Sequence, residues 1–337
     1  MFYCDPFGHT DSEHLFNLGP TSTKDKDYIF FHDQEPVDLS LYKDLFDTVV
    51  IRNKDLRHNP QGHVVVSEKG HCVDQLKDMY DWQVHYYFFH GWACLDWYRG
   101  YDKTFLIARA KDRRPKKTFF SANRIIAGRR DHRVLFLYHV FKNQLDHNWI
   151  SAPRTCVHEN LDICTVASKY NNTYTDIEQV LSQADLPKLF PGEDQPEMSS
   201  CWLTNFDQAA DSLVYVPTET VYFGQRTHLT EKTFKAIALE MPFVLVAACG
   251  SLEYLRSYGF KTFSDVFDET YDTVKDDIAR LQAVAKLLKE LDALTWQEKQ
   301  QIHKACLPIV EHNYNHFYHG GFAKILWHEL QGMIDGF

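Results

Sequence analysis

The chain has 337 residues, more than one ordinary hydrophobic core organises, so two domains of about 100 to 200 residues are expected. Its 36 Lys and Arg stand against 46 Asp and Glu, and the net charge of -10 excludes a general electrostatic attraction to nucleic acid or anionic membrane. Eight cysteines without a CxxC pair or metal-ligand spacing, and no apolar run of about 18 residues, argue against a zinc module and a membrane span; a soluble, cytoplasmic protein is expected.

In the first hundred residues, Tyr28 to Phe31, Thr48 to Ile51, His63 to Val66 and Tyr86 to Phe89 are apolar runs of strand length. Their hydrophobicity is continuous rather than alternating, as in strands of a parallel sheet covered on both faces. Leu39 to Phe46 and Val73 to Trp82 serve as crossover helices, which gives a doubly wound α/β pattern. The aromatic stretch Tyr86 to Tyr98 reads either as domain core or, through His90-Gly91-Trp92 and Asp96-Trp97, as a stacking surface for an acceptor.

The charged stretch Ala110 to Lys117 has no apolar period and contains Pro115, so it reads as an interdomain linker. A second α/β series follows. It runs through strand Thr118 to Ser121, helix His132 to Leu145, a strand near Trp149 to Ala152, helix Ile177 to Gln183 and strand Leu213 to Val216. Helix Glu231 to Glu240, strand Phe243 to Ala248 and helix Leu252 to Tyr258 complete it. From there the pattern is helical, over Val274 to Leu294, from a start at Thr295-Trp296-Gln297-Glu298, and over Tyr318 to Met333. Two Rossmann-like halves, 1–114 and 115–272, closed by helices over 273–337 that pack across both, describe by fold analogy the GT-B architecture of glycosyltransferases, with a site in the cleft between domains.

His228-Leu229-Thr230-Glu231-Lys232-Thr233-Phe234, followed by Ala236-Ile237-Ala238 and Pro242-Phe243-Val244, resembles the donor-binding motif of the α-1,3-fucosyltransferase family. It is more similar still to a group of phage-encoded and bacterial glycosyltransferases. Gly250-Ser251-Leu252, Tyr254-Leu255-Arg256 and Gly259-Phe260-Lys261-Thr262-Phe263 match their pattern; Ala236 departs from it where proline is usual. The resemblance implies a metal-independent, inverting transfer of a sugar from a nucleoside diphosphate, GDP- or UDP-linked, to a hydroxyl, with no further cofactor. It places Glu231 on the donor ribose and Lys232 on the diphosphate, with Thr230 opening the helix. It puts Glu219 near the donor sugar, where charge develops.

Residues alone mark two further constellations. Between Arg109 and Arg133 ten cations face only Asp112 and Asp131, and within that island Asn123, Arg124, Arg130 and Arg133 follow a strand end, where guanidinium forks suit a diphosphate. Phe30-Phe31-His32-Asp33-Gln34-Glu35-Pro36 ends another strand, and Asp33 or Glu35, with His32 third, is a candidate base for the acceptor hydroxyl. The basic island also leaves room for DNA as acceptor, through hydroxylated bases such as hydroxymethylcytosine. A non-catalytic nucleotide-sugar or glycan-binding module is the remaining alternative. No metal ligands are expected: the histidines form no HExxH, and Asp25-Lys26-Asp27 precedes a strand instead of following one.

Overall fold

A computed structural model of the chain describes residues 2–5, 28–32, 62–79, 83–103, 109–194 and 202–335. They are mixed α/β and form two compact units. One unites residues up to Ala93 with Gln225–His228 and the chain from Ala323 on; the other comprises Cys94–Gly224 and Leu229–Phe322.

The first unit holds a parallel sheet of β1 (Phe2–Asp5), β2 (Tyr28–His32), β3 (Gly62–Val66) and β5 (Gln83–Tyr86) in that order. Helix α1 (His71–Met79) makes the crossover between β3 and β5. The strand expected over Tyr86 to Phe89 ends at Tyr86. Tyr87 and Phe88 are buried, and α2 (Phe89–Trp97) begins immediately after them. A continuous aromatic run has no period by which a strand can be told from a buried helix. Tyr87 packs with Val65 and Met333, while the Phe88 amide donates to a Glu329 carboxylate oxygen at 3.2 Å.

Two short strands of this unit, β4 (Lys69–Gly70) and β9 (Arg226–Thr227), pair antiparallel. The fully buried Glu68 carboxylate takes Arg226 in two bonds of 2.5 and 2.7 Å, a bidentate geometry that fixes their register. Gly70 sits at φ +140, and a Cβ there would lie 2.6 Å from the Gln225 carbonyl oxygen, so no other residue fits.

The second unit is built on β6 (Lys117–Ser121), β7 (Trp149–Ile150) and β8 (Ser212–Tyr215), ordered β7-β6-β8 and parallel throughout. Segment 243–246 continues the sheet beyond β8. Tyr215 N donates to Pro242 O at 2.8 Å, Val246 N to Pro217 O at 3.0 Å, and Tyr215–Phe243 and Thr218–Val246 form parallel bridges. The helices are α3 (His132–Lys142), α4 (Ile163–Ala167), α5 (Ile177–Gln183), α6 (Phe206–Asp211), α7 (Glu231–Ala238), α8 (Ser251–Ser257), α9 (Asp277–Ala293) and α10 (Trp296–Tyr318), before α11 (Gly321–Ile334) ends the chain. Helix α3 is buried from His132 through Val140, which explains why apolar residues run unbroken from Val134 through Tyr138 instead of forming one stripe. Helix α10 opens on the expected capping box: Thr295 Oγ1 accepts from Glu298 N, and Glu298 Oε2 accepts from Thr295 N at 2.8 Å.

The stretch Ala110 to Lys117, read as an interdomain linker, is tied into the second unit. Arg113 is buried and donates to the carbonyls of Leu239 at 2.6 Å and Glu240 at 3.0 Å, closing the C-terminal end of α7. Glu240 in turn accepts from Arg109 Nε at 2.7 Å and from Ala110 N at 2.9 Å. Burial, and then the Arg109 charge, hold the Arg113 guanidinium down to about 10 against the pull of Glu240, so it stays cationic at neutral pH.

Among the described residues, Arg280 from α9 is the largest fully buried side chain. It donates to the carbonyls of Ala247, Val274 and Tyr222, and its guanidinium lies 4.4 Å from the Tyr222 ring centroid. It thereby ties the segment beyond β8 to α9. No helix among the described residues is long and apolar enough to cross a membrane.

Candidate functional site

In the second unit the chain leaves β6 for β7 on one side, while β8 and segment 243–246 lie on the other. The carboxyl ends of β6 and β8 therefore flank a topological switch point, the position at which open parallel sheets bind ligands. Most of the expected donor-site residues gather there: Asn123, Arg124 and Arg130 on the β6–α3 connection, Arg133 in the first turn of α3, Glu219 after β8, and Thr230, Glu231 and Lys232 at the start of α7. Asp33 and Glu35 lie outside the described residues.

The structure sorts these residues into two kinds. Asn123, Arg133, Glu219 and Thr230 are buried and committed to the protein itself. The Asn123 amide donates to Ser121 Oγ and the Ser151 carbonyl, and its oxygen accepts from Thr218 Oγ1 at 3.0 Å, so it joins β6, the end of β7 and the end of β8. Arg133 donates to the carbonyls of Ile125 and Thr218, both at 2.8 Å. Burial first, and then Arg130, bring its guanidinium down to about 10. These two side chains clamp the switch point shut as a rigid floor, and neither presents a free donor to solvent.

Glu219 has no exposed surface. One of its oxygens accepts from Thr230 N at 3.1 Å, Thr233 N at 3.3 Å and Thr233 Oγ1 at 2.6 Å, and the other from Thr230 Oγ1 at 2.5 Å. A carboxylate over the first turn satisfies amides that the helix cannot and opposes the positive end of its dipole. Glu219 thus fixes where α7 begins, and the amides it occupies are not available to a diphosphate.

The second kind is open. Glu231 and Lys232 are partly exposed, and the Lys232 ammonium lies 2.7 Å from Glu231 Oε1, 3.2 Å from Thr230 Oγ1 and 3.3 Å from Thr220 Oγ1. Arg124 and Arg130 are half-buried and Arg129 is exposed, on a connection whose Gly128 takes φ +60 ahead of α3. The two sides share neighbours: Arg133 feels the charges of both Arg130 and Glu231, and Glu193 those of both Arg124 and Lys235. Such a ring of cations and one accessible carboxylate can hold a diphosphate and a vicinal diol.

Sequence reasoning missed several members of this site. Glu193, in a Pro-Gly-Glu-Asp turn, accepts from Ser151 Oγ at 3.1 Å and from Phe190 N at 2.9 Å, and burial pushes its carboxyl up. Lys235, one turn beyond Glu231, brings a further cation. The helical spacing of Glu231 and Lys235 was the available signal for Lys235; Glu193 carried none, because its turn meets β7 only in space.

His132 opens α3, fully buried and stacked on Tyr222 at 4.8 Å. Burial, and next Arg133, depress its pKa; His139 further along α3 is pushed down to about 4, by burial and then by Lys142. Both rings are neutral in the folded protein and protonate in the unfolded chain below about 6.5, so stability present at neutral pH is lost on acidification. Glu193, Glu269 and Asp272, all raised by burial, act with the opposite sign, but nearer the carboxylate range. Thermal unfolding between pH 7 and pH 5.5 is expected to show His139 alone costing about 1.2 kcal/mol over that interval. His139→Gln should flatten the slope; an unchanged slope would show that the ring is not held neutral.

Among the described residues no group of three or more His, Cys, Asp or Glu is placed to hold a metal ion. No family model matches the chain, and no curated protein or solved structure is significantly similar to it.

Proposed function

We propose that the protein is a glycosyltransferase of the GT-B class, which transfers a sugar from a nucleoside diphosphate to an acceptor hydroxyl with inversion and without a metal. One observation carries this reading. At the switch point of a parallel sheet, the accessible Glu231 and Lys232 share one edge with Arg124 and Arg130, over a floor locked by Asn123, Arg133 and Glu219. In this reading Glu231 accepts from the ribose hydroxyls. Lys232, Arg124 and Arg130 neutralise the diphosphate, and that charge matters most as the sugar leaves. Glu219 is a positioning residue that acts through α7, rather than a group that touches the sugar. Asp33 or Glu35 would take the proton of the acceptor.

The cations of the basic island are divided by the fold. Lys111, Arg114 and Lys116 precede β6, and Arg124, Arg129 and Arg130 follow it, so about 17 Å of strand separates the two groups. A continuous DNA backbone contact is therefore not the arrangement that the cations favour, and a small hydroxylated acceptor or glycan is preferred. Incubation of the protein with individual nucleoside-diphosphate sugars, followed by chromatography, should reveal slow release of nucleoside diphosphate from one donor class, since water replaces a missing acceptor. Stability of every donor in both the presence and absence of protein would count against catalysis and leave the binding-module alternative.

A further inference from the structure

A groove of about 410 Å³ lies at the opposite end of β6 from the strand-end site, between the turn that precedes β6 and the outer face of α10. Lys111, Arg114, His303 and Lys304 line it, with Leu213 as part of an apolar wall and Trp296 at the rim. No Asp or Glu is among its lining residues, in a chain whose acids outnumber its bases. The volume is within the range of small-molecule sites.

The cations of the groove differ in what they do. Arg113 is spent on the carbonyls at the end of α7, and Lys299 donates to the Asp292 carbonyl at 2.8 Å. Among the described residues the Lys111 and Lys304 ammoniums have no carboxylate partner, and the exposed Arg114 donates only to the Arg113 carbonyl. His303 donates from Nε2 to the Ala110 carbonyl at 2.9 Å, which leaves Nδ1 as a lone-pair acceptor without a partner. Trp296 is 41% exposed although large and apolar. An exposed indole beside unpaired ammonium and guanidinium groups presents a flat stacking face next to an anion cradle.

We propose that this groove is a second ligand site, for a phosphate ester that carries a flat ring, of which a nucleoside polyphosphate is the simplest example. Lys111, Arg114 and Lys304 take the phosphates, and Trp296 stacks on the ring. The site is independent of Glu231 and Lys232, so it stands or falls apart from the donor reading.

The test uses the full chain at low salt, with adenosine triphosphate and inorganic tripolyphosphate as probes, tryptophan fluorescence and calorimetry as readouts. Adenosine triphosphate is expected to bind saturably and to quench fluorescence. Arg114→Glu with Lys304→Glu should weaken binding roughly tenfold or more, because charge-assisted contacts become repulsive. Trp296→Leu should abolish the quench and weaken adenosine triphosphate at the groove but not tripolyphosphate, and the quench, which reports on the groove alone, should persist in Lys232→Ala. The substituted side chains are exposed, so folding is expected to survive, and circular dichroism checks it. Three results would overturn the proposal: no saturable binding at millimolar probe, binding indifferent to the double charge reversal, or capture of duplex DNA alone through these residues.

Discussion

Glu219→Ala is expected to destabilise the second unit by about 3 to 5 kcal/mol, because the carboxylate accepts from two buried backbone amides and two hydroxyls at the start of α7. In a unit of this size that lowers the unfolding temperature by roughly 10 °C. Glu219→Gln should fall between, since its carbonyl oxygen still accepts while its amide group faces donors. The same substitution separates two roles for this residue. If Glu219 only touched a donor sugar, Glu219→Ala would leave the free protein as stable as before, and the melting temperature in the absence of ligand would not move.

Lys232→Ala is the largest expected effect on binding. The ammonium is partly exposed and rests on Glu231, Thr230 and Thr220, so its loss removes a mobile charge from the site without opening the core. A charge-assisted contact to phosphate is worth about 1.5 to 3 kcal/mol, which corresponds to roughly a tenfold to 150-fold loss of donor affinity. Arg130→Ala, across the switch point, should act in the same direction, whereas Asn123→Ala should act mainly on stability. That division follows from burial: Asn123 has no surface to offer, and Arg130 does.

Much of the second unit was legible in the sequence, for reasons that are local. Helix α5 has the expected bounds, Ile177–Gln183, and the Thr295 capping box marks the start of α10 by residue type alone. The gathering of polar residues at strand ends was also readable, because parallel strands place their carboxyl ends on one edge. The roles within that gathering were not. Asn123 and Arg133 read as ligand contacts because polar residues after strands commonly serve ligands, and Glu219 through the resemblance, yet each is satisfied by groups of the protein itself.

The same limit explains the stretch Ala110 to Lys117. Its charge and Pro115 suggested an interdomain linker, a reading that carries no sign of Arg113 closing α7 from 126 residues away. In the first unit, the aromatic density of Tyr86 to Tyr98 concealed the change from strand to helix at Phe89, and the two-residue strands β4 and β9 are too short to leave a period.

The most direct measurement is a thermal-shift panel of nucleoside-diphosphate sugars on the native chain and on Lys232→Ala, both carrying Arg114→Glu and Lys304→Glu so that the basic groove does not contribute. A donor at about 100 times its dissociation constant adds roughly 2.7 kcal/mol to the stability of the protein that binds it. One nucleotide class should raise the unfolding temperature of the chain with Lys232 and shift the Lys232→Ala chain far less. No shift with any donor, or equal shifts in both proteins, would contradict a donor site at the start of α7.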